Sequence, residues 1–189
     1  MNAPAPARGR PSSRERILDA AEDLVRAIGA GRLTLEAVAE RAGLSKGGLL
    51  YNFPTKDALL QGMLERMIGE SVSERDALRR SLAGRRNAEV KAAVATALKT
   101  RCDDMKGFAT GILAASAENP RLLEPVRVAI REQWEAIKTS SDDLDVAILA
   151  WLAVEGLSSL EMHDLSPFSP ADRERVLDAV QRFLDQDGT

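Results

Sequence analysis

Residues 34–56, TLEAVAERAGLSKGGLLYNFPTK, gather hydrogen-bonding side chains around a stretch of bare backbone, while most of the remaining chain is generic amphipathic helix. Thr34 is placed to cap a helix over 35–42, with Glu36 in its first turn, and Gly43 supplies the left-handed residue that stops it. Leu44 plugs the corner and Ser45 caps a second helix. Winding that helix at 100° per residue from Lys46 puts Leu49, Leu50 and Phe53 on one side and Gly47, Gly48 and Tyr51 on the other, flanked by Asn52. Two glycines inside a helix cost roughly 1 kcal/mol each relative to alanine. Either they loosen the helix or pack it tightly on a neighbour, or they let the backbone approach DNA while Tyr51 and Asn52 reach phosphates or base edges. Two short helices joined at a glycine turn make a helix-turn-helix, which positions a protein on DNA rather than catalysing a reaction.

Other chemistries find little support. His163 and Cys102 are the only histidine and cysteine, lie far apart and have no motif context, and CDD (102–104) is no metal-ligand spacing. No glycine loop follows a strand to cradle phosphate, so neither an enzyme nor a cofactor is expected. No apolar run approaches the roughly 20 residues that span a bilayer, and the first residues, MNAPAPARGRPSS, lack the apolar core of a signal peptide. With one cysteine, these features fit a reducing cytoplasm. Net charge is −3, too acidic for a non-specific nucleic-acid coat. Residues 1–60 nevertheless carry nine Lys and Arg against seven Asp and Glu, and residues 61–189 carry seventeen against twenty-two. The signs suit a DNA-facing head on an acidic body.

The elements that hold the block follow from periodicity. A helix over 13–28 has an apolar stripe of Ile17, Leu18, Ala21, Leu24, Val25 and Ile28, capped by Ser12 or Ser13 and closed by Gly29. Pro54 ends the reader helix, Thr55 caps the next, and a long helix over 55–82 would link head to body over about 42 Å. Further helices are expected over 88–101, 104–117, 121–139, 142–160 and 170–184. Pro125 should kink or restart its helix, and Ser169 should cap the last one. Residues 145–162 are apolar nearly all round, with Gly156 at close-packing size, so this helix must be covered on several sides.

Together, RERILDAAEDLVRAIGAGRLTLEAVAERAGLSKGGLLYNFPTKDALLQGML, a match over about residues 13–63, resembles the DNA-binding domain of the TetR family of bacterial transcriptional repressors. The family commonly has threonine at the position of Gly48 and an aromatic at that of Leu50, and its aromatic run falls on Tyr51–Phe53. The resemblance implies an all-α protein of about nine helices. It would have an arm over 1–12, a three-helix helix-turn-helix domain over 13–56, and a ligand-binding and dimerisation domain over 57–189. By position it implies DNA contacts from Thr34, Ser45, Lys46, Gly47, Gly48, Tyr51, Asn52 and Lys56, on a double-stranded and presumptively palindromic operator. Thr34 and Lys56 stand at helix N-termini, where phosphate meets free N–H groups. Arg8, Arg10 and Arg14 form either a minor-groove arm or a solubilising tail.

The resemblance further implies a homodimer through the last two helices, and a pocket for a small effector between helices of the body. Met67, Cys102, Met105, Phe108, Ile112, Trp134, Trp151, Glu155 and Met162 are its candidate lining, with plain core packing as the alternative for each. Glu155 is an acid on an otherwise apolar helix. It either pairs with an arginine or faces a cavity, and an unpaired carboxylate there would favour a cationic ligand. The implied function is a repressor released from its operator by a small hydrophobic ligand. The rivals are a helical protein-interaction adaptor without DNA binding, and a regulator of the same type with no ligand.

Overall fold

A computed structural model of the protein describes residues 12–99 and 102–185, and within them every regular element is helical. The chain forms two compact units, residues 1–63 and 64–189, with the boundary inside one continuous helix.

In the first unit, α1 (Ser13–Ile28) starts at Ser12, whose hydroxyl accepts from the Glu15 N–H, and ends at Gly29 with φ 80°. A single 3-10 turn at Ala30–Arg32 leads to α2 (Leu35–Ala42), α3 (Lys46–Asn52) and the long α4 (Lys56–Ser81). Ile17, Leu18, Ala21, Val38, Leu49, Phe53, Leu59 and Leu60 form its buried centre. Ile28, expected in the α1 stripe, is exposed, because it sits on the last residue before the chain turns away at Gly29. Arg14 belongs to α1 rather than to an arm: its guanidinium lies 5.3 Å from the centre of the Phe53 ring. Arg8 and Arg10 lie outside the described residues. Phe53 is tight against α4, since a Cβ added at Gly62 would come within 2.6 Å of its ring.

The second unit holds the rest of α4, then α5 (Ala88–Lys99), α6 (Cys102–Glu118), α7 (Glu124–Ser140), α8 (Leu144–Met162) and α9 (Pro170–Asp185). The α7 helix begins later than expected. Asn119 caps a 3-10 turn at Pro120–Leu123, and Pro125 then occupies the first turn of α7, where a missing N–H costs nothing. Likewise α8 begins at Leu144, where the Asp143 carboxylate accepts from the Val146 N–H. Val90, Val94, Ile137, Ala147, Ala150, Val154, Val180 and Leu184 make one core from α5, α7, α8 and α9. The α8 helix is covered on several sides and left open on one. Leu149 and Leu152 are 58% and 55% exposed, and nothing lies within 4 Å of a Cβ built on Gly156. No described helix is long and apolar enough to cross a membrane.

Candidate functional site

The helix-turn-helix is assembled by local rules and one long-range tie. Thr34 Oγ1 accepts from the Ala37 N–H at 3.2 Å and starts α2, and Ser45 Oγ accepts from the Gly48 N–H at 3.1 Å and starts α3. Between them Gly43 takes φ 64° and ψ 41°, the left-handed conformation that favours glycine. The tie is Arg16 on α1, whose Nη2 donates to the carbonyl oxygens of Ala42 at 2.6 Å and Gly43 at 3.4 Å. These carbonyls end α2 and have no partner within it, so Arg16 pins the turn that aims α3.

The outer face of α3 is as the helical wheel expects. Leu49 is fully buried and Leu50 half-buried on the inside, while Tyr51 is 91% exposed and Gly47 opens onto free space. An added Cβ at Gly48 would meet only Ser45 Oγ, at 3.4 Å. Besides the capping Thr34 and Ser45, three more of the polar candidates already have partners. Asn52 donates from Nδ2 to the Gly48 carbonyl at 2.9 Å and exchanges hydrogen bonds with Ser13, tying the end of α3 to α1. Lys56 Nζ donates to the Gly31 carbonyl at 3.2 Å. Lys46 Nζ lies 2.7 Å from Glu36 Oε1 on α2, and this bond, with Glu36's own backbone N–H, holds the carboxyl below its ordinary range. Exposed and without such a side-chain tie, Tyr51 and Gly47 are the freest parts of the face.

In the body, Trp134 of α7 and Trp151 of α8 stack with ring centres 5.7 Å apart and planes 23° from parallel, both resting on the core. Glu155 follows Trp151 by one turn and so shares its face. The residue is exposed as a whole, yet partial burial of its carboxyl pushes that group above the ordinary range, against the opposing pull of the Trp151 N–H and the Arg75 charge. The indole N–H meets no acceptor in hydrogen-bond geometry, so its pull is that of a nearby dipole. Arg75 Nε is likewise buried without an acceptor, although Glu89 Oε1 lies 3.7 Å away and Arg79 approaches Glu89 at 3.5 Å. Buried donors left unpaired cost about 1–3 kcal/mol each. Trp134, Trp151 and Glu155 are thus brought together. Phe108 and Ile112 are buried and Met67 and Met162 half-buried, as core packing requires. The side chains of Cys102 and Met105 lie outside the described residues.

Sequence reasoning missed Arg16, Arg75 and Glu89, and placed Glu36 in the first turn of α2 without its pairing to Lys46. Only their helical phase could have pointed to them, since each acts on a residue of another element.

A three-helix head with a glycine-turned helix pair, followed by a helical body, defines a DNA-binding regulator of the helix-turn-helix class. The family model for bacterial regulatory proteins of the tetR family matches residues 17–63, and that for the tetracyclin repressor-like C-terminal domain matches residues 87–185, more than half the chain. The chain therefore belongs to the TetR family of transcriptional regulators, with its DNA-binding domain at the N-terminal end. No curated protein matches it. Among solved structures, a transcriptional regulator from Rhodococcus sp. Rha1 is similar at 22% identity and TM-score 0.70, covering 92% of this chain and 97% of its own. The multidrug binding protein EbrR in complex with imidazole is similar at 22% identity and TM-score 0.65, covering 95% and 94%. A regulator from Saccharomonospora viridis in complex with choline is 18% identical with TM-score 0.70, covering 93% and 96%. Identities this low show the shared fold alone.

Proposed function

We propose that this regulator is a homodimeric repressor released from a palindromic operator when a hydrophobic cation binds beside Trp134, Trp151 and Glu155. The observation that carries the effector's class is the stacked indole pair next to a carboxylate that its surroundings have partly stripped of water. Aromatic faces attract cations, and the attraction grows when both sides are desolvated. A cation settling there would also supply Glu155 with the partner that favours its charged form. Choline and imidazole in the similar structures, and proflavin in a second EbrR complex, are in keeping with such a site.

On the DNA side, Thr34, Ser45, Lys46, Gly47, Gly48, Tyr51, Asn52 and Lys56 are the proposed contacts, with Tyr51 the most prominent. The partner surface is the bare stripe of α8. Leu149, Leu152, Ala153 and Gly156 recur at three- and four-residue spacing and are all exposed. A second copy meeting this stripe would place like against like, as a two-fold dimer requires. Two heads so paired could read half-sites about 34–36 Å apart. Because α4 runs without a break from Lys56 to Ser81, a displacement at Arg75 would travel along it. Release then requires the effector to bind the DNA-incompetent state more tightly.

The test is a titration followed by tryptophan fluorescence and thermal shift, using tetraalkylammonium ions and proflavin on the native chain and on Glu155→Gln. Saturable quenching and stabilisation in the native chain, weakened at least tenfold in the variant, is the expected result. Equal affinity in both proteins would remove Glu155 from the site, and no binding by any cation would sink the effector class.

A further inference from the structure

Several cations of the head are held by its own carboxylates. Arg26 lies 3.6 Å from both Glu22 and Asp23, Arg41 lies 3.0 Å from Asp23, and Lys46 lies 2.7 Å from Glu36. The last pair differs from the others in place. Lys46 is the one charged residue of α3, and Glu36 reaches it from the neighbouring helix of the helix-turn-helix. Both side chains are about two-thirds exposed (63% and 64%). An ion pair in that much water contributes at most about 1 kcal/mol to folding, so stability is a poor reason for it. Its effect falls instead on whatever anion approaches the face.

We propose that Glu36 is a specificity-determining residue, an internal stand-in for a DNA phosphate that withholds Lys46 from non-specific duplex. This inference rests on the reading that α3 faces DNA. Non-specific affinity comes almost wholly from phosphates neutralised and counterions released. A lysine already joined to a carboxylate must exchange one anion for another, and the exchange leaves Glu36 uncompensated near the duplex. Little is gained on a random sequence. On an operator, where Tyr51 and the close backbone at Gly47 also fit, the remaining contacts offset that loss and the exchange goes forward.

The experiment measures binding of a random-sequence duplex across a range of salt concentrations for the native chain, Glu36→Gln, Lys46→Gln and the double variant, with Tyr51→Ala alongside. Glutamine can still accept from Lys46, so Glu36→Gln removes the charge and spares the bridge between helices. The expected result is a log–log salt slope steeper by about 0.9 per head in Glu36→Gln, tighter binding at low salt, and return to the native slope in the double variant. An unchanged slope in Glu36→Gln, or a steeper one that persists without Lys46, overturns the role of Glu36. Tyr51→Ala, measured on a duplex selected from a random pool for tight binding to the native chain, separates that failure from the other: if it leaves that binding untouched, the reading of α3 falls instead.

Discussion

In the head, four hydroxyls start four helices, from Ser12, Thr34, Ser45 and Thr55, and Arg16 satisfies the carbonyls of the turn. What stays exposed there is polar or bare backbone, apart from Tyr51, Ile28, Ala27 and Pro54. The body is capped as well, at Asp143 and Ser169, yet it leaves leucines of α8 in water and two buried N–H donors, on Arg75 and Trp151, without acceptors. The contrast teaches that the two units are finished to different degrees. The head presents a largely polar surface, whereas the body leaves exposed leucines and unpaired donors that the proposed second copy along α8 and the proposed cation near the tryptophans would cover.

The comparison breaks most directly at α8. Leu149→Glu with Leu152→Glu should convert a dimer to a monomer, read as a halved mass by sedimentation, while the head's amides keep their hydrogen-exchange protection. A dimer that survives both carboxylates would mean that the exposed stripe is not the interface. The corresponding break in the head is internal. Phe53→Ala removes a fully packed ring and should cost about 3–5 kcal/mol, seen as lost exchange protection in α1–α3 with α5–α9 unchanged. Equal loss in both units would show that they unfold together.

How much could be read in advance follows the same division. The caps, Gly43 and the sidedness of α3 were legible because each depends on residues within four positions of one another, the range over which helix rules operate. Arg16 reaches a turn 26 positions away, and Lys46 meets Glu36 across two helices, so no period encodes either contact. In the body the helices themselves were legible from their spacing. The open side of α8 was not, because residues 145–162 are apolar nearly all round and the pattern has no phase to read. Glu155 stood out as an acid in that run, but its setting depended on Trp134, Trp151 and Arg75 from three different helices.

A smaller effect sharpens the view of the head as self-contained. Arg16→Met keeps the aliphatic stem and removes the donor to Ala42 and Gly43, a charge-assisted bond worth about 1.5–3 kcal/mol. The turn should loosen, with exchange quickening at α2 and α3. DNA affinity should fall with it, because the aim of α3 is set through the turn. Unchanged exchange at the turn would make Arg16 a bystander.

The smallest expected effect probes the unfinished body. Glu155 has its carboxyl raised by partial burial, so the folded chain holds that proton more tightly than the unfolded chain does. Below the ordinary carboxylate range both states are protonated and the group costs nothing. As pH rises, the unfolded chain ionises first, and the stability lost is complete once the folded carboxyl has ionised too. Glu155→Gln should therefore raise the melting temperature slightly at pH 7 without ligand and leave it unchanged near pH 3. The gain is small because the side chain is partly hydrated and Arg75 already offsets some of the charge. Adding the hydrophobic cation should reverse the order at pH 7, since only the native carboxylate can pair with it. If the variant is less stable than the native chain at pH 7 without ligand, then Arg75 already satisfies Glu155, and the body is more nearly complete than its two unpaired donors imply.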